Sequence, residues 1–156
     1  MFTRQQLGFL FQNKIHELIS QTNYQVLEEK EIVKKYSRLT FGIDHIINSY
    51  NYIFCIQDKW SDKKSSLSDI NHFVKCVEVL QSQENYKKCI GIYLTKIPIT
   101  SDAQDAFNFE NYKGYNYFLS LYDNDMKEIS KKLTNLLYSY GVFFYECDGS
   151  SIMISD

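Results

Sequence analysis

Phe11, Ile15, Leu18, Ile19 and Thr22 recur at steps of three and four, which predicts a helix with one buried face at the start of the chain. A short strand follows around Tyr24–Leu27 and gives way to a charged stretch. The segments "RLTFGIDHII" and "YIFCIQDK" read as two β runs joined by the polar turn "NSYN". Ile70, Phe73, Val74, Val77 and Leu80 then mark a helix, with Ser68 as its N-cap and Asp69 in its first turn. "KKCIGIYLTKIPIT" is continuously apolar, as in a strand covered on both faces. "SDAQDAF" opens another helix, capped by Ser101 or Asp102. "YNYFLSLYD" reads as a strand, and "NDMKEISKKLTNLLYSYG" as a helix closed by Gly141. A terminal hairpin is expected over residues 142–154, turning at "DGSS". Strands alternating with helices in the middle of the chain predict an α/β fold, a mixed sheet with helices on both faces.

At 156 residues the chain has the length of one domain, 1–156, and no repeat or Pro/Gly linker divides it. No apolar run reaches the roughly 18 residues of a membrane span, and no secretory signal is evident at the N-terminus. The expectation is an intracellular protein, cytoplasmic or nuclear, with no membrane partner. Cys55, Cys76, Cys89 and Cys147 are widely spaced, and with no signal peptide they read as reduced core residues. Neither they nor His16, His45 and His72 have the spacing of zinc ligands. The net charge of −2 argues against a nonspecific grip on nucleic acid by the whole molecule. It hides an asymmetry: residues 1–100 carry 13 Lys/Arg against 10 Asp/Glu, and residues 101–156 carry 4 against 9. A local basic face in the first two-thirds is compatible with that distribution.

The second β run ends in Gln57, Asp58 and Lys59 where a turn residue is usual. Residues two apart on a strand share a face, so Gln57 and Lys59 point together and Asp58 points away. With the turn at residues 48–51, Ile47 opposes Tyr52 and Asp44 opposes Cys55, with Gln57 as a diagonal neighbour. An even-length turn thus gathers Asp44, Gln57 and Lys59 on one face. The Asp44 carboxylate, the Gln57 amide oxygen and the Asp58 backbone carbonyl form an oxygen donor set that suits Mg²⁺ with a substrate phosphate. Lys59 would position a water or offset charge on that phosphate. Taken alone, the three residues read rather as the polar end of a solvated hairpin.

"GID" followed thirteen residues after its aspartate by "QDK" resembles the active-site signature of the PD-(D/E)XK nuclease superfamily. Within it the chain is most similar to the Mrr-like restriction endonuclease branch, where Gln often replaces the acidic residue of the second half-motif. "FQNKIHELISQTNYQV", "CIGIYLTKIPITSDAQDAF" and "YNYFLSLYDNDMKEISKKL" resemble that branch's further elements, so the likeness covers about residues 9–138. The terminal hairpin, 142–154, lies outside it.

The resemblance implies a restriction-endonuclease-like mixed sheet flanked by helices, and Mg²⁺- or Mn²⁺-dependent endonucleolytic hydrolysis of DNA. It makes Asp44 the metal-binding aspartate, puts Gln57 in the place of the acidic ligand, and makes Lys59 the catalytic lysine. On the opening helix, the position where relatives often carry glutamate falls on Gln12. Glu17 lies about 140° further round that helix, whereas His16 shares the Gln12 face. Both also read as solvated helix residues. With Gln at 12 and 57, one metal ion is expected in place of two.

Trp60 could stack on a base, and Lys63 and Lys64 could contact phosphates; a packed Trp and a solvated loop are the competing readings. The second function class is a catalytically inactive or attenuated nuclease-fold protein that binds DNA or serves assembly. Target choice would then rest on a partner chain, on DNA shape, or on a homodimer through the terminal hairpin.

Overall fold

The computed structural model describes residues 1–145. The terminal hairpin expected over 142–154 lies outside the described residues from residue 146 onward, as does Cys147. The described chain runs α1 (Arg4–Ile19), β1 (Gln25–Glu28), α2 (Glu29–Lys35), a 3₁₀ turn at Arg38–Thr40, β2 (His45–Asn48), β3 (Tyr52–Lys59), α3 (Leu67–Ser82), β4 (Lys88–Thr95), α4 (Ser101–Lys113), β5 (Tyr117–Tyr122) and α5 (Met126–Ser139). This is the expected α/β class.

The five strands form one mixed sheet in sequence order. β1, β2 and β3 are antiparallel, whereas β3, β4 and β5 run parallel and are joined through α3 and α4. Alternation along β3 assigns the two faces. Ile53 and Cys55 pack with Phe73, Val77 and Phe107 of α3 and α4. Phe54 and Ile56 pack with Phe11 and Ile15 of α1 and Leu133 of α5. β4 is buried on both faces, as its apolar run predicts. Gly91 in β4 makes room for the aromatic cluster beneath α3 and α4: a Cβ there would stand 2.7 Å from Phe118 Cδ1 and 3.0 Å from Phe73 Cε2. Phe73, Tyr93, Phe107 and Phe118 pack edge-on or stacked around that gap.

Five local expectations are corrected. The charged stretch after β1 is a helix, α2, in which Ile32 is buried and Glu31 accepts the Glu28 N–H at 2.9 Å in a capping box. Its acidic residues stand in the first turn and Lys34 and Lys35 in the last, which complements the helix dipole. The β run expected in "RLTFGIDHII" is strand only from His45. Ser37 Oγ accepts the Leu39 N–H at 3.0 Å and the Thr40 hydroxyl donates to the Ser37 carbonyl at 2.6 Å, bonds that hold a 3₁₀ turn. α3 is capped by Ser66, reciprocally with Asp69, in place of Ser68, and α4 by Thr100 in place of Ser101 or Asp102. In the β2–β3 hairpin Ile47 opposes Phe54 and Ile46 opposes Cys55, so the register is shifted by two residues from the expected pairing. The turn is tighter, with Ser49 donating through both N–H and hydroxyl to the Tyr52 carbonyl at 2.9 Å. A shift of two preserves side-chain parity.

Cys55, Cys76 and Cys89 are buried free thiols, as expected of reduced core residues. Gly141, at φ 85°, closes the turn after α5. Beyond it Val142 and Phe144 are buried against the α1/α5 layer, and Phe144 forms an isolated antiparallel bridge with Thr22. Among the described residues no helix is long and apolar enough to cross a membrane.

Candidate active site

β2 is shorter than β3, so the N–H groups at the end of β3 outrun the backbone carbonyls of their neighbour. Asp44, one residue before β2, makes up the difference. Its own N–H donates to the Ile56 carbonyl at 2.9 Å, and its Oδ2 accepts the Asp58 N–H at 2.9 Å. A side chain thus takes the place of a ladder carbonyl and satisfies a sheet donor. The bond also fixes the direction of the Asp44 carboxylate.

That carboxylate is poorly solvated. Burial is the main cause that pushes its pKa up to about 8; the neighbouring Asp58 charge and Glu29 add to the rise, and the Asp58 N–H opposes it. At neutral pH the carboxyl therefore keeps its proton unless a cation neutralises the surrounding negative charge.

Asp58 points to the opposite face of the sheet, as alternation requires. There its Oδ2 is joined to His45 Nε2 in a buried pair. His45 stacks on His16 of α1, ring centroids 5.9 Å apart, and His16 Nε2 stands 3.4 Å from Glu28 Oε1. A line of polar side chains therefore leads from the end of β3 to the exposed end of β1.

Lys59 closes the arrangement on the α3 side, where its Nζ is 3.2 Å from Asp69 Oδ2 in a half-exposed ion pair. Asp69 is itself committed to the α3 cap, and its carboxyl is held below the usual range first by the Ser66 N–H and then by Lys59. Asp44, Asp58, Lys59 and Trp60 line one cleft of about 320 Å³, faced by Phe9 and Gln12 of α1. A second recess, about 230 Å³, shares Gln12 and Asp44 with the first and continues past His16, Glu29 and His45.

Of the residues singled out from sequence, Asp44 and Lys59 meet at this cleft with Gln12, and His16 lines its continuation. Glu17 is exposed and stands apart from both recesses. Gln57 keeps the parity of Lys59, but the residues lining the cleft do not include it, and its Oε1 is buried without a hydrogen-bond partner among the described residues. Trp60 is partly buried against Phe11, with centroids 4.6 Å apart, and still lines the cleft. Lys63 and Lys64 are exposed in the loop that follows.

Sequence reasoning missed the His45–Asp58 pair, the Asp58 carboxylate and the tie between Lys59 and Asp69. Parity puts His45 and Asp58 on one face, but the expected register sets His45 opposite Phe54; only the observed pairing of His45 with Ile56 makes the two diagonal neighbours. Lys59–Asp69 spans a loop and carries no such signal.

The donor set of the cleft is sparse. Among the described residues no three His, Cys, Asp or Glu side chains form a group that could hold an ion. Asp44 offers one carboxylate of the kind Mg²⁺ uses when water and substrate phosphate complete its shell, while the Asp58 carboxylate is committed to His45. Burial is the main cause of the raised Asp44 pKa, and the part that comes from the Asp58 and Glu29 charges is what a divalent cation would relieve. Comparison of the chain with protein-family models, with curated proteins and with solved structures gave no significant match.

Proposed function

We propose that this chain is a metal-dependent nuclease domain of the PD-(D/E)XK kind, of the Mrr-like restriction endonuclease branch, hydrolysing phosphodiesters in DNA inside the cell. The observation that carries the reading is the meeting of Asp44 and Lys59, contributed by one hairpin, at a single cleft with Asp58 and Gln12. The mixed sheet, antiparallel over β1–β3 and parallel over β3–β5, agrees with the restriction-endonuclease-like arrangement that the resemblance implies.

Asp44 and the Asp58 backbone carbonyl would hold one Mg²⁺ or Mn²⁺. The ion supplies Lewis acidity and a water of lowered pKa. Asp44 gives up its proton and keeps one carboxylate oxygen fixed by the Asp58 N–H. Lys59 leaves Asp69 and sets its ammonium against the phosphate oxygens, where it offsets the charge that grows during displacement. Gln12 and Trp60 border the path of the nucleic acid.

A second reading, a DNA-binding or assembly module without turnover, is favoured by Gln57 lying outside the cleft lining and by Lys59 being tied to Asp69. The deciding experiment offers linear, nicked, branched and single-stranded DNA to the protein with Mg²⁺ or Mn²⁺, beside Asp44→Ala and Lys59→Ala. Cleavage by the wild type that both variants lose supports the nuclease. A folded wild type that cuts none of these substrates counts against the nuclease and favours the second reading.

A further inference from the structure

The cleft does not end at Trp60. The same residue also lines a recess of about 300 Å³, with Arg4, Ser61, Asp62, Lys63 and Lys96 around it. Lys96 lines in turn a further recess with Tyr122, Asp123 and Lys132. Adjacent depressions therefore share a wall residue: Asp44 and Gln12, then Trp60, then Lys96. The series follows the carboxyl ends of β3, β4 and β5, which finish at Lys59, Thr95 and Tyr122. Outside the carboxyl ends of parallel strands is where open α/β sheets hold their ligands.

The recess beyond Trp60 differs in charge from the cleft. Arg4, Lys63 and Lys96 face a single carboxylate, Asp62, in a chain whose net charge is negative. Asp62 Oδ1 accepts from Lys96 Nζ at 2.5 Å. The Lys96 hydrogen bond and charge, with the charge of Arg4 as a smaller contribution, hold the Asp62 carboxyl below its usual value. The carboxylate thus sits where an anion is best stabilised. Its side chain is 68% exposed, so it can leave without disturbing the core.

We propose that the recess formed by Arg4, Trp60, Lys63 and Lys96 is a phosphate subsite for the nucleic-acid strand, one that takes a phosphodiester next to the one in the cleft, and that Asp62 occupies it as an internal competitor until the strand arrives. This rests on the nuclease reading for the identity of the strand. It assigns Arg4 and Lys96 to positioning and Asp62 to tuning of affinity. Lys96 and Arg4 bind the incoming phosphate in place of Asp62, whose carboxylate passes to solvent; Trp60 forms the wall between this phosphate and the one beside Lys59.

The test is binding without turnover. A dye-labelled single-stranded oligonucleotide is titrated with protein in EDTA over a range of salt, and fluorescence anisotropy is read. Quenching of Trp60, the chain's single tryptophan, serves as a second signal. The Arg4→Ala/Lys96→Ala double variant is expected to bind about tenfold more weakly at low salt. It should also lose about 0.7 from the slope of log affinity against log salt, the equivalent of one phosphate on a single strand. Asp62→Asn is expected to bind several-fold more tightly, a change that misfolding cannot imitate. Equal affinity in the double variant, no gain in Asp62→Asn, or no binding by the wild type overturns the subsite. Cleavage in Mg²⁺ with unchanged binding by the double variant leaves the nuclease and removes the subsite. The expected binding pattern without cleavage keeps the subsite and removes the hydrolytic reading.

Discussion

The Asp58 N–H donates to the Asp44 carboxylate at 2.9 Å, and the Asp58 side chain, which points to the other face, raises the pKa of that same carboxylate. Burial is the larger cause of that rise; Asp58 orients Asp44 through its N–H and adds to the rise through its charge. In the native state Asp44 keeps a proton up to about pH 8; in the unfolded chain it loses that proton near its ordinary value of 3.8. Between these limits the native state binds more protons, so stability falls as pH rises from about 4 to 8. Each tenfold difference in proton affinity between the two states is worth about 1.4 kcal/mol. Urea denaturation in EDTA at several pH values should show the fall, and Asp44→Asn should flatten it. Mg²⁺ should raise the wild-type melting temperature at pH 8 and leave that of the variant unchanged. A wild-type profile that climbs over this range would show Asp44 to be an ordinary ionised carboxylate.

Lys59 and Asp69 form a half-exposed pair, and such pairs contribute about 0–1 kcal/mol. Lys59→Met should therefore leave the urea midpoint nearly unchanged while lowering the rate of DNA hydrolysis by at least about a hundredfold. Loss of folding in step with loss of rate would assign Lys59 to structure.

His45 and Asp58 are both buried, at 1% and 5% side-chain exposure. Removing one member strands the other: His45→Leu should cost on the order of 3 kcal/mol. Adding Asp58→Asn should recover part of that loss, because the amide carries no charge. The measurement is a double-mutant cycle by denaturation, and strict additivity would mean that the two side chains do not interact.

Gly91 has no space for a methyl group between Phe118 and Phe73. Gly91→Ala should lower stability by about 1–3 kcal/mol, since the rings beneath α3 and α4 are locked by one another. The two substitutions Gly91→Ala and Phe118→Leu together should cost less than their sum. Thermal melts of the three variants decide the matter.

The elements legible in the sequence are those with long, one-sided patterns. The α3 stripe from Ile70 to Leu80 and the unbroken apolar run of β4 each have a period and a length that a single structure fits. α2 escapes because its seven residues bury one side chain, Ile32, too few for a period to show. The hairpin register differs by two residues because Ser49, which reads as part of the turn, pairs back to Tyr52 through backbone and hydroxyl. Parity survives that difference, so Asp44 and Lys59 still meet at the cleft. Gln57 shares their parity yet not their surroundings: strand alternation fixes the side of the sheet and says nothing of how far along it a cavity extends. His45 shares the face of Asp58 by parity, but the pairing expected from sequence sets it opposite Phe54, and only the observed register, with His45 opposite Ile56, makes it diagonal to Asp58.

β3, β4 and β5 finish side by side, and each hands over to a surface loop before its next helix begins. Asp44 belongs to none of those loops; it stands at the mouth of the β2–β3 hairpin, tied to Asp58. Insertions or exchanges after Lys59, Thr95 or Tyr122 would redraw the surface beside the cleft while leaving the Asp44 bond and both cores intact. Descent can therefore vary what this molecule grips without renewing what it does, with selection acting on the two separately.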